Sequence, residues 1–178
     1  MKRLAARILI TGGSGAGKST FAETLALRLP APHTYLATMR VFGREDREKV
    51  GRHKAIRKGK GFITLEREID IAGAHLCGGG TVLLECMCNL AANEMFDERG
   101  GIHDAYEPVI SGIAALERKC DALIVVTNDV GSDGGGYSES TMRYVDVLGR
   151  LNRTLAARFE CVCELVCGIP LLLKGELP

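Results

Sequence analysis

The segment ITGGSGAGKST, Ile10 to Thr20, constrains this chain more than any other stretch. Gly12 to Ser19 satisfies the pattern GxxxxGK[ST]. Ahead of it lies the apolar run ARILIT, Ala6 to Thr11, which reads as a buried strand; behind it Lys18 to Leu29 reads as a helix ended by Pro30. A glycine-rich turn in that position lets backbone N–H groups curl around a phosphate, and the helix N-terminus adds positive potential. The expected phosphate cradle is therefore Gly12, Gly13, Ser14, Gly15, Ala16, Gly17, Lys18, Ser19 and Thr20. Lys18 is expected to reach the β- and γ-phosphates, as a catalytic cation, and the Ser19 hydroxyl to bind Mg²⁺.

The rest of the chain alternates strand and helix patterns. Strands are expected at His33 to Thr38, Phe62 to Leu65, Thr81 to Leu84 and Ala122 to Thr127, and two more around Gly168-Ile169-Pro170 between Cys161 and Leu173. Helices are expected at Arg44 to Arg57, Glu66 to Leu76, after Leu84 to about Phe96, Ala105 to Lys119 and Ser138 to Phe159, with loops at Arg99 to His103 and Gly131 to Gly136. This alternation predicts an α/β fold: one P-loop NTPase-like domain over residues 1–178, its mostly parallel sheet covered by helices on both faces. Ligands of such sheets bind at the carboxyl ends of strands, here GGSGAGKST, ATMR, ECMCN and TNDVG.

A Mg²⁺-nucleotide site also needs an acid at the end of another core strand. Glu85, closing TVLLE, is the expected metal-linked residue, with Asp129 as a rival that could instead cap the next helix. No NKxD-type base-reading motif is present; Thr127-Asn128-Asp129-Val130 lacks the lysine. The residues by themselves therefore reach a P-loop nucleotide-using enzyme, with phosphoryl transfer as the expected reaction class.

The stretch VGRHKAIRKGKGF, Val50 to Phe62, sets His53 among Arg52, Lys54, Arg57, Lys58 and Lys60. A basic surface, a nucleic-acid patch and a catalytic histidine all fit such a run. The net charge of +1 and the absence of tryptophan argue against nucleic acid as a partner. The seven cysteines contain no CxxC pair and mostly lie in apolar runs such as LLECMCNL, which fits reduced thiols in a core and a cytoplasmic setting. The N-terminal apolar stretch is too short for a signal peptide, and no stretch is long enough to span a bilayer.

Taken in order, several segments carry a resemblance. They are ITGGSGAGKS, TYLAT (Thr34 to Thr38), RxxxxRHKxxR (Arg47 to Arg57), GFITLE (Gly61 to Glu66), LLECMCNLAANEMF (Leu83 to Phe96), VVTNDVG (Val125 to Gly131), RYVDVLGRLNRTLA (Arg143 to Ala156) and VCGIPLLLKG (Val166 to Gly175). With these the chain resembles the bifunctional adenosylcobinamide kinase / adenosylcobinamide-phosphate guanylyltransferase family of cobalamin biosynthesis. The resemblance implies phosphorylation of adenosylcobinamide by ATP or GTP, then transfer of GMP from GTP to the resulting adenosylcobinamide phosphate. It implies that a histidine carries the GMP, and the matching position is His53. It further implies a cytoplasmic homo-oligomer, with a trimer as the known form. Among further positions in matching segments, Glu66 and Asn93 are candidates for holding nucleotide or substrate, Asn128 and Asp129 for an active-site role at a strand end, and Arg143 and Asn152 for a role on the long helix that is functional or structural. Cations near His53 would keep its ring neutral and stabilise charge on the phosphate, Lys49 and Arg57 lying one helical turn to either side. Gly15 stands where many members carry arginine, Phe62 where tryptophan is frequent, and SDGGGYS replaces a GIVP-like run. A kinase without guanylyl transfer, and a non-catalytic nucleotide sensor, are the alternatives.

Overall fold

The computed structural model describes residues 6–41, 43, 51, 57, 59–97, 99–131 and 135–178. The expected helix Arg44 to Arg57 lies outside the described residues except for Gly51 and Arg57, which are both helical. His53, Lys49, Arg52, Lys54 and Lys58 therefore also lie outside them, as do residues 132–134 of the glycine-rich loop.

The strands are β1 (Ala6–Thr11), β2 (His33–Ala37), β3 (Phe62–Glu66), β4 (Thr81–Glu85), β5 (Ala122–Val126), β6 (Cys161–Val166) and β7 (Ile169–Lys174). They form one sheet in the order β3-β2-β4-β5-β1-β6-β7. All neighbours pair parallel except β6 and β7, which form an antiparallel hairpin. The helices that lie wholly among the described residues are α1 (Lys18–Ala26), α2 (Met87–Met95), α3 (Tyr106–Lys119) and α4 (Glu139–Arg158).

The central strands are apolar throughout because both faces are covered, and their side chains divide between two cores with a period of two. Ile8, Ile10, Leu83, Ile124 and Val126 pack with Ala22, Leu25 and Ala26 of α1. Leu9, Val82, Leu84, Leu123 and Val125 pack with Leu90 of α2, Ile113 of α3 and Leu151 of α4 on the other side. The α4 helix begins where Ser138 caps it, its Oγ accepting from the Thr141 N–H at 3.3 Å, and buries Val147, Leu148, Leu151 and Leu155 along one stripe.

Two helix expectations need correction. The first helix stops at Ala26, and residues 27–29 turn before Pro30. No helix spans Glu66 to Leu76: only Ile71–Gly73 makes a short 3₁₀ turn. Asp70 takes a left-handed conformation at φ 48°, and its carboxylate accepts from the Gly73 N–H. A short carboxylate that binds its own backbone competes with an α-helix. Ile71 fits here because Gly112 of α3 has no side chain to exclude it. The cysteine expectation holds for Cys88, Cys120, Cys161 and Cys163, which are buried, and fails for Cys77 and Cys167, which are exposed.

Candidate active site

The chain leaves β1 at Thr11, turns through Gly12 to Gly17 and enters α1 at Lys18. Gly12 has φ 136°, and a Cβ there would collide with the Leu165 carbonyl of β6. Gly17, at φ 91°, caps α1 in the left-handed region that glycine tolerates. The Gly168 N–H of the β6–β7 turn donates to the Ala16 carbonyl at 3.0 Å and steadies the loop from outside. Lys18 is buried, and its ammonium donates to the carbonyls of Gly12 (2.9 Å) and Gly13 (2.6 Å). That burial lowers its pKa below the usual lysine value, against the opposing influence of Cys88, Cys86 and Glu85.

Glu85 closes β4 beside the first turn of α1. Its Oε1 accepts from the Ser19 hydroxyl and its Oε2 from the Tyr35 hydroxyl at 3.0 Å. Burial is the main cause of a raised Tyr35 pKa, followed by the Glu85 charge, so the phenol stays a donor. The rival acid, Asp129, is exposed and does not line the cavity. A hydroxyl and a carboxylate side by side next to a phosphate loop are hard oxygen donors, a set that suits Mg²⁺.

The loop, Tyr35, Arg57, Glu66, Glu85 and Asn128 line one cavity of about 550 Å³. Its rim is held by polar bonds between strand ends. The Thr38 hydroxyl donates to the Cys86 carbonyl at 2.7 Å and accepts from the Cys86 N–H at 2.8 Å, tying the end of β2 to the end of β4. Asn93 donates through Nδ2 to the carbonyls of Thr38 (2.8 Å) and Glu68 (2.9 Å). Asn152 accepts from the Thr127 hydroxyl at 2.9 Å. Asn93 and Asn152 thus hold backbone and strand ends, and neither lines the cavity. Cys88 accepts from the Asn128 N–H at 3.2 Å. Donation from Cys86 first, then from Thr127 and Asn128, holds the Cys88 thiol below the usual range despite burial. The same contact is the main cause pushing the Cys86 thiol up.

Sequence reasoning gave no role to Tyr35, Thr38, Cys88 or Thr127. Tyr35 carried a usable signal: a phenol in the middle of a buried strand needs a partner for its hydroxyl. The other histidines stand elsewhere. His33 meets the Leu29 carbonyl at 3.1 Å, at the amino end of β2; His103 pairs with Asp97 at 3.0 Å; His75 is exposed. Arg143 is exposed and lines a separate hollow on α4.

Residues 8–173 match the family described as cobinamide kinase / cobinamide phosphate guanyltransferase. The chain belongs to this family. Its relatives include a bifunctional adenosylcobalamin biosynthesis protein CobP of Pseudomonas aeruginosa, 30% identical, with 96% of this chain and 98% of the relative covered. The CobU protein of Salmonella typhimurium is 32% identical over 94% of this chain and 99% of its own length. As a member of the cobinamide kinase / cobinamide phosphate guanyltransferase family, the chain is a bifunctional cobinamide kinase and guanylyltransferase of adenosylcobalamin biosynthesis. In fold this family member is similar to the flagellar accessory protein FlaH of Methanocaldococcus jannaschii, with TM-score 0.54, 14% identity, and 98% of this chain and 80% of that chain covered. It is also similar to a second solved structure, an ATPase domain, with TM-score 0.57, 9% identity, and 99% and 79% covered. The P-loop NTPase-like architecture expected from the sequence is the one found.

Proposed function

We propose that the loop Gly12 to Thr20 holds the nucleotide phosphates, with Lys18 against the β/γ end and Ser19 and Glu85 as the Mg²⁺ side of the site. The observation that carries this is the meeting of the Ser19 hydroxyl with the Glu85 carboxylate beside the buried Lys18 ammonium. Bound there, Mg²⁺ would neutralise charge on the phosphate oxygens. In the kinase step the hydroxyl oxygen of adenosylcobinamide attacks the γ-phosphorus of ATP or GTP. The new O–P bond forms as the bond from the γ-phosphorus to the β–γ bridging oxygen breaks, the hydroxyl proton passes to solvent, and the nucleoside diphosphate leaves. Lys18 is a fixed cation aimed at that developing charge.

In the guanylyl step, an imidazole nitrogen of His53 attacks the α-phosphorus of GTP, and pyrophosphate leaves. The phosphate of adenosylcobinamide phosphate then attacks the same phosphorus, the P–N bond breaks, and adenosylcobinamide-GDP forms. A neutral imidazole is the competent nucleophile. The His53 assignment follows from the resemblance of the RHKxxR segment, and Glu66 is carried over in the same way as a nucleotide contact; Glu66 lines the cavity.

The proposal extends to a homo-oligomer, a trimer by resemblance, in the cytoplasm. The edge strand β7 supports association, because Ile169, Leu171 and Leu173 are 63%, 45% and 60% exposed. All seven cysteines are free, consistent with a reducing compartment. Among the described residues no helix is long and apolar enough to cross a membrane.

The test is covalent labelling. Wild-type protein incubated with Mg²⁺ and GTP labelled at the α-phosphate should retain label that survives base and is lost in acid, as a phosphoramidate. His53→Ala should retain none. Equal labelling of the two proteins would move the role to another residue.

A further inference from the structure

Arg57 is 5% exposed, yet among the described residues its Nε and Nη1 have no hydrogen-bond partner. Its guanidinium lies over the Tyr35 ring, 3.5 Å from the centroid. A stack of this kind satisfies the face of the guanidinium and leaves the in-plane N–H donors unmet. A buried cation with unmet donors is costly unless a ligand completes it. Two of the acids that line its cavity are bonded elsewhere: Glu85 accepts from Ser19 and Tyr35, and Glu68 pairs with Arg40 at 3.0 Å. Arg57 lines the same cavity as Lys18 and Ser19. A planar fork of donors matches the oxygens of a phosphate, and the Lys18 and Ser19 side of the cavity points to the same ligand class.

We infer that Arg57 is a phosphate-binding residue of the nucleotide cavity, taking oxygens at the terminal-phosphate end of the nucleoside triphosphate through Nε and Nη1. This rests on the reading of the cavity as the nucleotide site. Tyr35 then has two tasks: its ring seats Arg57 and its hydroxyl orients Glu85. The cation and the metal-side carboxylate are thereby held by one side chain.

The test is calorimetric binding of GMP, GDP and GTP in EDTA, so that no turnover occurs, to wild type, Arg57→Met, Arg57→Gln and Lys18→Met. Arg57→Met keeps apolar cover on Tyr35 without any donor. The inference expects GTP binding to weaken about tenfold or more in Arg57→Met, with GMP binding almost unchanged. Should Arg57→Met fail to fold, Arg57→Gln, which keeps a planar group over the ring, must show the same dependence on phosphate number. Loss of affinity equal for all three nucleotides, or no loss, overturns the inference. The Lys18→Met arm separates the two readings. If it weakens GTP binding while the Arg57 variants do not, only the Arg57 role falls. If Lys18→Met binds GTP as wild type does, the nucleotide-cavity reading itself falls.

Discussion

The Ser19 hydroxyl and the Tyr35 hydroxyl donate to the two oxygens of the same Glu85 carboxylate, one from the first turn of α1 and one from the middle of β2. Glu85 is therefore fixed from both sides. Replacing it by glutamine substitutes an amide N–H₂ for one acceptor, so one of the two hydroxyls loses its acceptor and the carboxylate charge is gone. Glu85→Gln is expected to lower kinase turnover about 10- to 100-fold and to raise the Mg²⁺ concentration needed for half-maximal rate. Steady-state phosphorylation of cobinamide across a Mg²⁺ titration measures both. An unchanged Mg²⁺ dependence would remove Glu85 from the metal side of the site.

Lys18 carries a stability consequence with a definite sign. Burial holds its folded pKa below the unfolded value of 10.5. The folded protein therefore binds the proton less tightly than the unfolded chain. The resulting penalty is fully present below the folded pKa and is relieved as pH rises from that value towards 10.5. Lys18→Met, apolar and of similar length, should abolish kinase activity while leaving nucleotide-free thermal stability at pH 7 equal to or above wild type. It should also remove the relative gain in wild-type stability on the alkaline side. Thermal unfolding of both proteins between neutral pH and pH 10 decides it.

Asn93 joins the backbones that follow β2 and β3 through two bonds from a single Nδ2. Asn93→Ala leaves the Thr38 carbonyl without this donor in a buried setting and should cost about 1–3 kcal/mol. Asn93→Asp should be worse, because a carboxylate places acceptor against acceptor. Urea denaturation ranks the three proteins; a variant with wild-type midpoint would show that water replaces the amide.

The β7 edge predicts association. Leu171→Glu with Leu173→Glu places charge on a strand that is already exposed, so the monomer fold should survive. Sedimentation should then show a lower mass than wild type. Retention of the wild-type mass would locate the interface elsewhere.

Much of the fold was legible because the central strands are uniformly apolar and the helices carry long stripes. Ala6–Thr11 needed no more than a run of buried residues beside a glycine turn, and Ser138 announced the start of α4 by its capping chemistry. The segment from Glu66 to Leu76 misled because Ile69, Ala72 and Leu76 fall at helical spacing, while Asp70 binds its own turn instead. Only contact with α3 shows where Ile71 goes.

The glycine loop ahead of α1 could be read from neighbouring residues alone. Strand, glycines, Lys18 and Ser19 are consecutive, so local backbone geometry suffices to assemble them, and the ordered family segments identify the chemistry. Tertiary structure decided which acid joins the loop. Glu85, the expected acid, and Asp129, its rival, each stand near the end of an apolar core strand. The sheet order and the packing of α1 across β4 and β5 bring one carboxylate to Ser19 and leave the other exposed. Tertiary structure also set the Arg57 guanidinium over the Tyr35 ring, a contact between residues separated in the chain, which no reading of neighbouring residues contains.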